Sequence, residues 1–118
     1  MNLEIQQLKI KDIIHRETAV SSDDGEIVYN LIVSYIKKNC IAELDFSGIT
    51  ILTTAFLNSA IGQLYNTYSS DQLNTTLKLK NVAGEDRVLF KKVIERAKEY
   101  FANKKGFEDS ANKAIYGG

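Results

Sequence analysis

The chain contains no proline, one cysteine, one histidine and no excess of either charge. With no proline and no Gly/Ser-rich run, no linker divides it, and no internal repeat is evident. A single cysteine excludes an internal disulfide. Cys40 opens an apolar stretch, so it reads as a buried reduced thiol rather than a nucleophile. His15 has no second histidine and only one distant cysteine, which leaves no soft-metal constellation and no metal site to expect. Fifteen Lys and Arg against fifteen Asp and Glu give a formal net charge of zero. A nucleic-acid binder usually carries a basic excess, so no nucleic-acid partner is expected. The longest apolar runs are far too short to cross a bilayer. "MNLEIQQLKI" has no basic segment leading into an apolar one. The expected address is cytoplasmic, with no membrane partner.

What remains is an ordinary globular balance. The 118 residues are 44% hydrophobic and 25% charged, enough for one domain with a core and too few for two. Leu3 and Ile5 alternate with Glu4 and Gln6 as in a half-buried strand, and the alternation slips at Leu8 and Ile10, where that strand should end or bulge. Ile13, Ile14, Ala19 and Val20 suggest a short second element, a strand near Thr18–Val20. "SSDDGEIVYNLIVSYIKKN" opens with capping residues and acids. It then repeats Ile27, Val28, Leu31, Ile32, Tyr35 and Ile36 at helical spacing, and Asn39 is its expected stop. In "CIAELDF", Cys40, Ala42, Leu44 and Phe46 share one face. Phe56, Leu57, Ala60, Ile61, Leu64 and Tyr65 form a second helical stripe. "TLKLKNV" is a further strand with Leu77 and Leu79 inward. A last helix should begin near Gly84 and bury Val88, Leu89, Val93, Ile94, Ala97, Tyr100 and Phe101. Its interspersed Lys, Arg and Glu read as a solvated face.

Alternating strands and helices indicate an α/β fold. Three strands carry polar residues on their second face: Glu4 and Gln6, Glu43 and Asp45, Lys78 and Lys80. A sheet sandwiched between helical layers would have continuously apolar strands. The expectation is therefore a single-layer mixed sheet of four to five strands, with about three main helices mostly on one face. Glu4, Glu43 and Lys78 should be more exposed than Leu3, Leu44 and Leu77. Phe56, Leu57, Ile61 and Leu64 should pack on Leu44, Phe46 and Leu79. The open face leaves room for a partner, a homodimer included.

The step from strand to second helix is rich in hydroxyls: Ser47, Thr50, Thr53 and Thr54. Three readings compete. Thr54, or else Thr53, can cap the helix, with Ser47 and Gly48 shaping the exit from the strand. A hydroxyl can instead be a phosphorylation switch, since a phosphate at a helix start adds charge that a partner reads. A phosphate-binding loop is the weakest reading, because no G-x-G-x-x-G or G-x-x-x-x-G-K-[ST] motif exists. Asp45 ends the central strand beside this turn, where hydrogen bonding that stabilises the turn is its commonest role. "SSDDGE" lacks the spaced acids of a calcium loop and reads as a helix start.

The pattern "ELDFSGIT" before a helix resembles the STAS domain of bacterial anti-sigma-factor antagonists. It is closer still to the STAS-like domains of unknown function, through "LDFSGI", "TTAF", "IGQLY" and "LKLKNVAGEDRVLFKKVIERAKEYF". The resemblance covers roughly Leu3 to Phe101 and rests on structural more than chemical residues. It implies a STAS-like domain over residues 1–102; the C-terminal tail at 103–118, with scattered apolar residues of no sustained period and two final glycines, is expected to be loosely ordered. In the antagonists the turn reads Asp-Ser-Ser-Gly or Asp-Ser-Thr-Gly, and a serine kinase modifies the second hydroxyl. Here those positions are Thr53, Thr54, Ala55 and Phe56, so the acceptor position carries no hydroxyl. The resemblance also implies a non-catalytic, cofactor-free regulatory or protein-interaction module in bacterial-type signalling. Its implied partner is a histidine-kinase-type ATPase, and its partner-binding or regulatory residues would be Asp45, Ser47, Thr53 and Thr54. The alternative is a small-ligand or nucleotide module using the mouth of the Ser47–Thr54 loop. No acid, base and nucleophile set for an enzyme can be assembled.

Overall fold

The computed structural model describes residues 3–115, with side chains through 103. Three strands form the main sheet: β1 (Ile5–Lys9), β3 (Ile41–Asp45) and β5 (Leu77–Lys80), hydrogen-bonded in the order β1-β3-β5. Both pairings are parallel, with Leu8 beside Leu44 and Leu44 beside Leu79. A second, two-stranded parallel sheet pairs β2 (Thr18–Ala19) with β4 (Ile51–Leu52). The expected single mixed sheet is thus two sheets, and every pairing is parallel. Parallel neighbours need a crossover connection, and each connection between paired strands here contains at least one helix.

The first crossover carries α1 (Ile10–Ile14), β2 and α2 (Ser22–Lys37). The second carries β4, α3 (Thr54–Ala60), a 3-10 turn over Gly62–Asn66 and α4 (Ser70–Thr76). After β5 comes a 3-10 turn over Gly84–Asp86 and then α5 (Arg87–Ile115). Five helices replace the expected three because α1 and α4 are short. α1 buries only Ile10 and Ile14, one turn apart. α4 begins with a capping box in which Ser69 and Gln72 satisfy each other's backbone amides. α5 runs past residue 103, where the tail was expected to begin; the side chains beyond that point lie outside the described residues.

Register decides which side of each strand is buried. Pairing Leu8 with Leu44 turns the even-numbered residues of β1 inward, and Leu8 is 4% exposed. Leu3 and Ile5 therefore lie outward, at 41% and 55% exposure, because a one-residue change of register exchanges the two faces of a strand. The apparent slip at Leu8 and Ile10 is the true inward face, which passes from strand straight into α1. The expected contrast in exposure holds for Glu43 against Leu44 and for Lys78 against Leu77, and fails for Glu4 against Leu3, which are both exposed. Across the outward face Gln7, Glu43 and Lys78 stand in register, followed by Lys9, Asp45 and Lys80. This polar face is the uncovered one.

The core gathers Leu8, Val28, Ile32, Ala42, Leu44 and Phe46 against Phe56, Leu57, Ile61 and Leu64. Leu79 was expected here and is 38% exposed, while Leu77 packs on the core. β5 is an edge strand, and Leu79 stands one residue from its end. The α2 and α3 helices approach so closely at Gly25 that a Cβ there would sit 2.5 Å from the Phe56 carbonyl oxygen and 2.7 Å from the Ser59 Cβ. The helix expected over Phe56–Tyr65 tightens into the 3-10 turn at Gly62, a poor residue for a helix interior. On α5, Phe90, Val93 and Ala97 are buried, with Leu89, Ile94 and Phe101 flanking them. Val88 and Tyr100 fall off this stripe and are exposed. Among the described residues, no helix is long and apolar enough to cross a membrane.

Candidate functional site

Parallel strands bring their carboxyl ends to one edge, where ligands of open α/β sheets usually bind. Lys9, Asp45 and Lys80 lie there in register. The ladder runs one step further through the Phe46 amide, which donates to the Lys80 carbonyl at 3.0 Å. The chain then turns over Phe46–Ile49, closed by the Ile49 amide on the Phe46 carbonyl at 3.2 Å. Gly48 takes the third position with φ at 79°, where glycine is favoured. Its missing side chain also leaves room for Lys11, whose Cδ lies 3.0 Å from where a Cβ would stand.

Asp45 fixes this corner. Its Oδ1 accepts the Ser47 amide and the Asn81 side-chain amide, each at 2.9 Å. The Asn81 bond, with the Ser47 amide second, holds the Asp45 carboxyl below its ordinary range, against a smaller opposing effect of burial. Asn81 adopts a left-handed backbone, φ 57°, which asparagine tolerates. One carboxylate thereby ties the exits of β3 and β5 together. The sequence showed Asn81 as the end of a strand; only the fold shows that it lies across from Asp45.

The hydroxyls have a different job. The Thr50 amide and hydroxyl both donate to the Glu17 carbonyl, at 2.8 and 3.3 Å. The Thr53 amide donates to the Ala19 carbonyl at 3.1 Å, and its hydroxyl to the Val20 carbonyl at 2.6 Å. Two threonines therefore extend a parallel ladder of only two residue pairs at both ends. Thr53 is also the N-cap of α3, accepting the Phe56 amide at 3.2 Å. Thr54, expected to be the better cap, is instead the first helical residue. A cap needs an extended backbone, and Thr53 has it, with φ −119° and ψ 161°. Ala55 follows on the exposed side of the helix start.

Asp45 and Ser47 thus share one cluster with Asn81, while Thr53 and Thr54 belong to a second at the start of α3. Two further bonds fix α3 and the 3-10 turn after it on α2: Ser59 donates to the Ser22 carbonyl at 2.8 Å, and Gln63 to the Glu26 carboxylate at 2.9 Å. The "SSDDGE" stretch is a helix start as expected, with Ser21 accepting the Asp24 amide at 3.1 Å. Asp24 is buried and paired with Arg16 at 3.3 Å. His15 is exposed at the end of α1, and no group of three or more metal-ligating side chains occurs among the described residues.

A groove of about 370 Å³ opens beside the first cluster, between the Ser47–Ile49 turn and the Asn81–Asp86 connection. A larger one, of about 500 Å³, lies away from the turn, between Tyr65–Ser70 and Lys98 on α5.

No curated protein and no solved structure matches the chain. Residues 24–87, more than half of its length and the span that holds both clusters, match the STAS-like domains of unknown function. The chain belongs to that family.

Proposed function

We propose that this domain is a non-catalytic regulatory module that acts by presenting the Gly48–Ala55 segment and the start of α3 to a signalling protein. The observation that carries this reading is an exposed apolar residue on a turn with no freedom to retract. Ile51 is 54% exposed on β4, and Thr50 and Thr53, on either side of that strand, are bonded to the Glu17 and Val20 carbonyls. Val20, beside Thr53, is 42% exposed. A rigid apolar projection gains contact area on binding and loses little conformational freedom, which is how interface anchors supply affinity. Asp45 and Ser47 serve the same end indirectly, by fixing the exit from β3. The resemblance to anti-sigma-factor antagonists makes a histidine-kinase-type ATPase the first partner to try.

Ile51→Asp tests the proposal. It places a charge on an exposed position, so the fold should survive, as circular dichroism can check. A host protein captured by the wild-type domain and released by Ile51→Asp supports the reading. Capture that ignores the substitution, or is abolished equally by a control charge at the exposed Asn30 on α2, counts against it.

A further inference from the structure

The groove beside the Asp45–Asn81 bond has an aromatic floor and a rim rich in acceptors. Phe46 and Phe90 form the floor, edge to face with ring centroids 5.1 Å apart, and each is 5% exposed. Ser47, Asn81 and Asp86 contribute the polar rim. Asn81 gives one of its two amide hydrogens to Asp45 and keeps its carbonyl oxygen as an acceptor. The Asp86 carboxylate offers acceptors only, and takes part in no ion pair among the described residues. No lysine or arginine lines the groove. A phosphate would meet the Asp86 carboxylate there, and the Lys11 ammonium, 3.5 Å from where a Cβ on Gly48 would stand, is not part of the lining, which disfavours nucleotides. A volume of about 370 Å³ suits on the order of ten non-hydrogen atoms, at about 30 Å³ each.

We propose that this groove binds a small organic cation, an ammonium or guanidinium on an aromatic or apolar body. The body rests on Phe46 and Phe90, and the cation faces Asp86. Such a site joins apolar burial to one charge-assisted hydrogen bond, the usual composition of a small-ligand pocket.

The test is titration of the isotopically labelled domain followed by amide NMR shifts. The probes are phenethylamine, its neutral analogue 2-phenylethanol and the anionic 3-phenylpropionate. Phenethylamine should shift the Ser47, Gly48, Asn81 and Asp86 amides saturably and bind at least fivefold more tightly than the alcohol, with the anion weakest. Asp86→Asn should remove the amine's advantage while leaving the alcohol's affinity unchanged, and the dispersion of the same spectrum reports that the variant is folded. Equal or tighter binding of the anion, an amine preference that survives Asp86→Asn, or no saturable shift at these amides overturns the assignment. The measurement uses the isolated domain and leaves Ile51 untouched, so its outcome is separate from that of the partner experiment.

Discussion

The Thr53 hydroxyl donates to the Val20 carbonyl at 2.6 Å while accepting the Phe56 amide at 3.2 Å, so one side chain both caps α3 and closes the end of the β2–β4 ladder. Thr53→Ala removes both bonds and leaves the Phe56 amide without its cap. A loss of about 1–2 kcal/mol is expected from urea unfolding. Thr53→Asn keeps an acceptor for Phe56 and should recover part of it. Thr54→Ala should change stability by less than about 0.5 kcal/mol. Equal costs at 53 and 54 would contradict the assignment of the cap.

The same bond shows what the sequence could and could not disclose. Every hydroxyl of the turn was visible in the sequence, and so was the choice between a cap and a switch. The Glu17 and Val20 carbonyls, more than thirty residues away, were not, because backbone acceptors leave no trace in side-chain composition. Periodicity located α2 and the buried face of β3 correctly, since each has one buried stripe and a polar remainder. It failed at β1, where Ile5 lies outward beside Ile41 and apolar residues occupy both faces. It failed again at α5, where Val88 and Tyr100 are apolar yet uncovered. Of the candidate site, Asp45 and Ser47 were legible as turn residues. Asn81 and the groove required the β3–β5 pairing.

Leu64 and Leu79 separate true core from edge. Leu64 is fully buried, and Leu64→Ala should cost about 2–5 kcal/mol through lost contacts and the cavity left behind. Leu79, 38% exposed at the end of an edge strand, should cost less than about 1.5 kcal/mol on the same change. Thermal unfolding of the two variants side by side is sufficient. A larger effect at Leu79 would mean that the edge is covered in solution, as it would be by a second copy of the chain.

The Asp45–Asn81 bond predicts a pH dependence with a definite sign. The folded-state pKa of Asp45 lies below its ordinary value of 3.8, so the carboxylate form favours folding. Its contribution is complete above the ordinary value and disappears as pH falls through the lower folded one. Asn81→Ala removes the largest cause of the depression, so the Asp45 carboxyl should titrate at higher pH. The variant's stability should also fall off less steeply on acidification. Carbon-detected NMR titration of Asp45 in both proteins measures the shift. An unchanged titration would mean that the Ser47 amide alone holds the carboxylate.

Ala55 offers the most direct test of how the turn is read. It is exposed in the first turn of α3, and no acid lies in that turn. A negative charge there faces the positive end of the helix, so Ala55→Asp should leave stability unchanged or raise it by about 0.3–1 kcal/mol. If the turn acts by surface contact, the same substitution should weaken capture of the partner, while Ala55→Ser, which adds a hydroxyl and no charge, should not. Phosphorylation of Thr53 would remove the hydroxyl hydrogen it donates to Val20, so modification in this turn should fall on Thr54. Mass spectrometry of the protein from its own host distinguishes the two cases. Unmodified threonines together with charge-sensitive capture at position 55 fit regulation by contact, whereas substantial phosphate on Thr54 would favour a phosphorylation switch at this helix start.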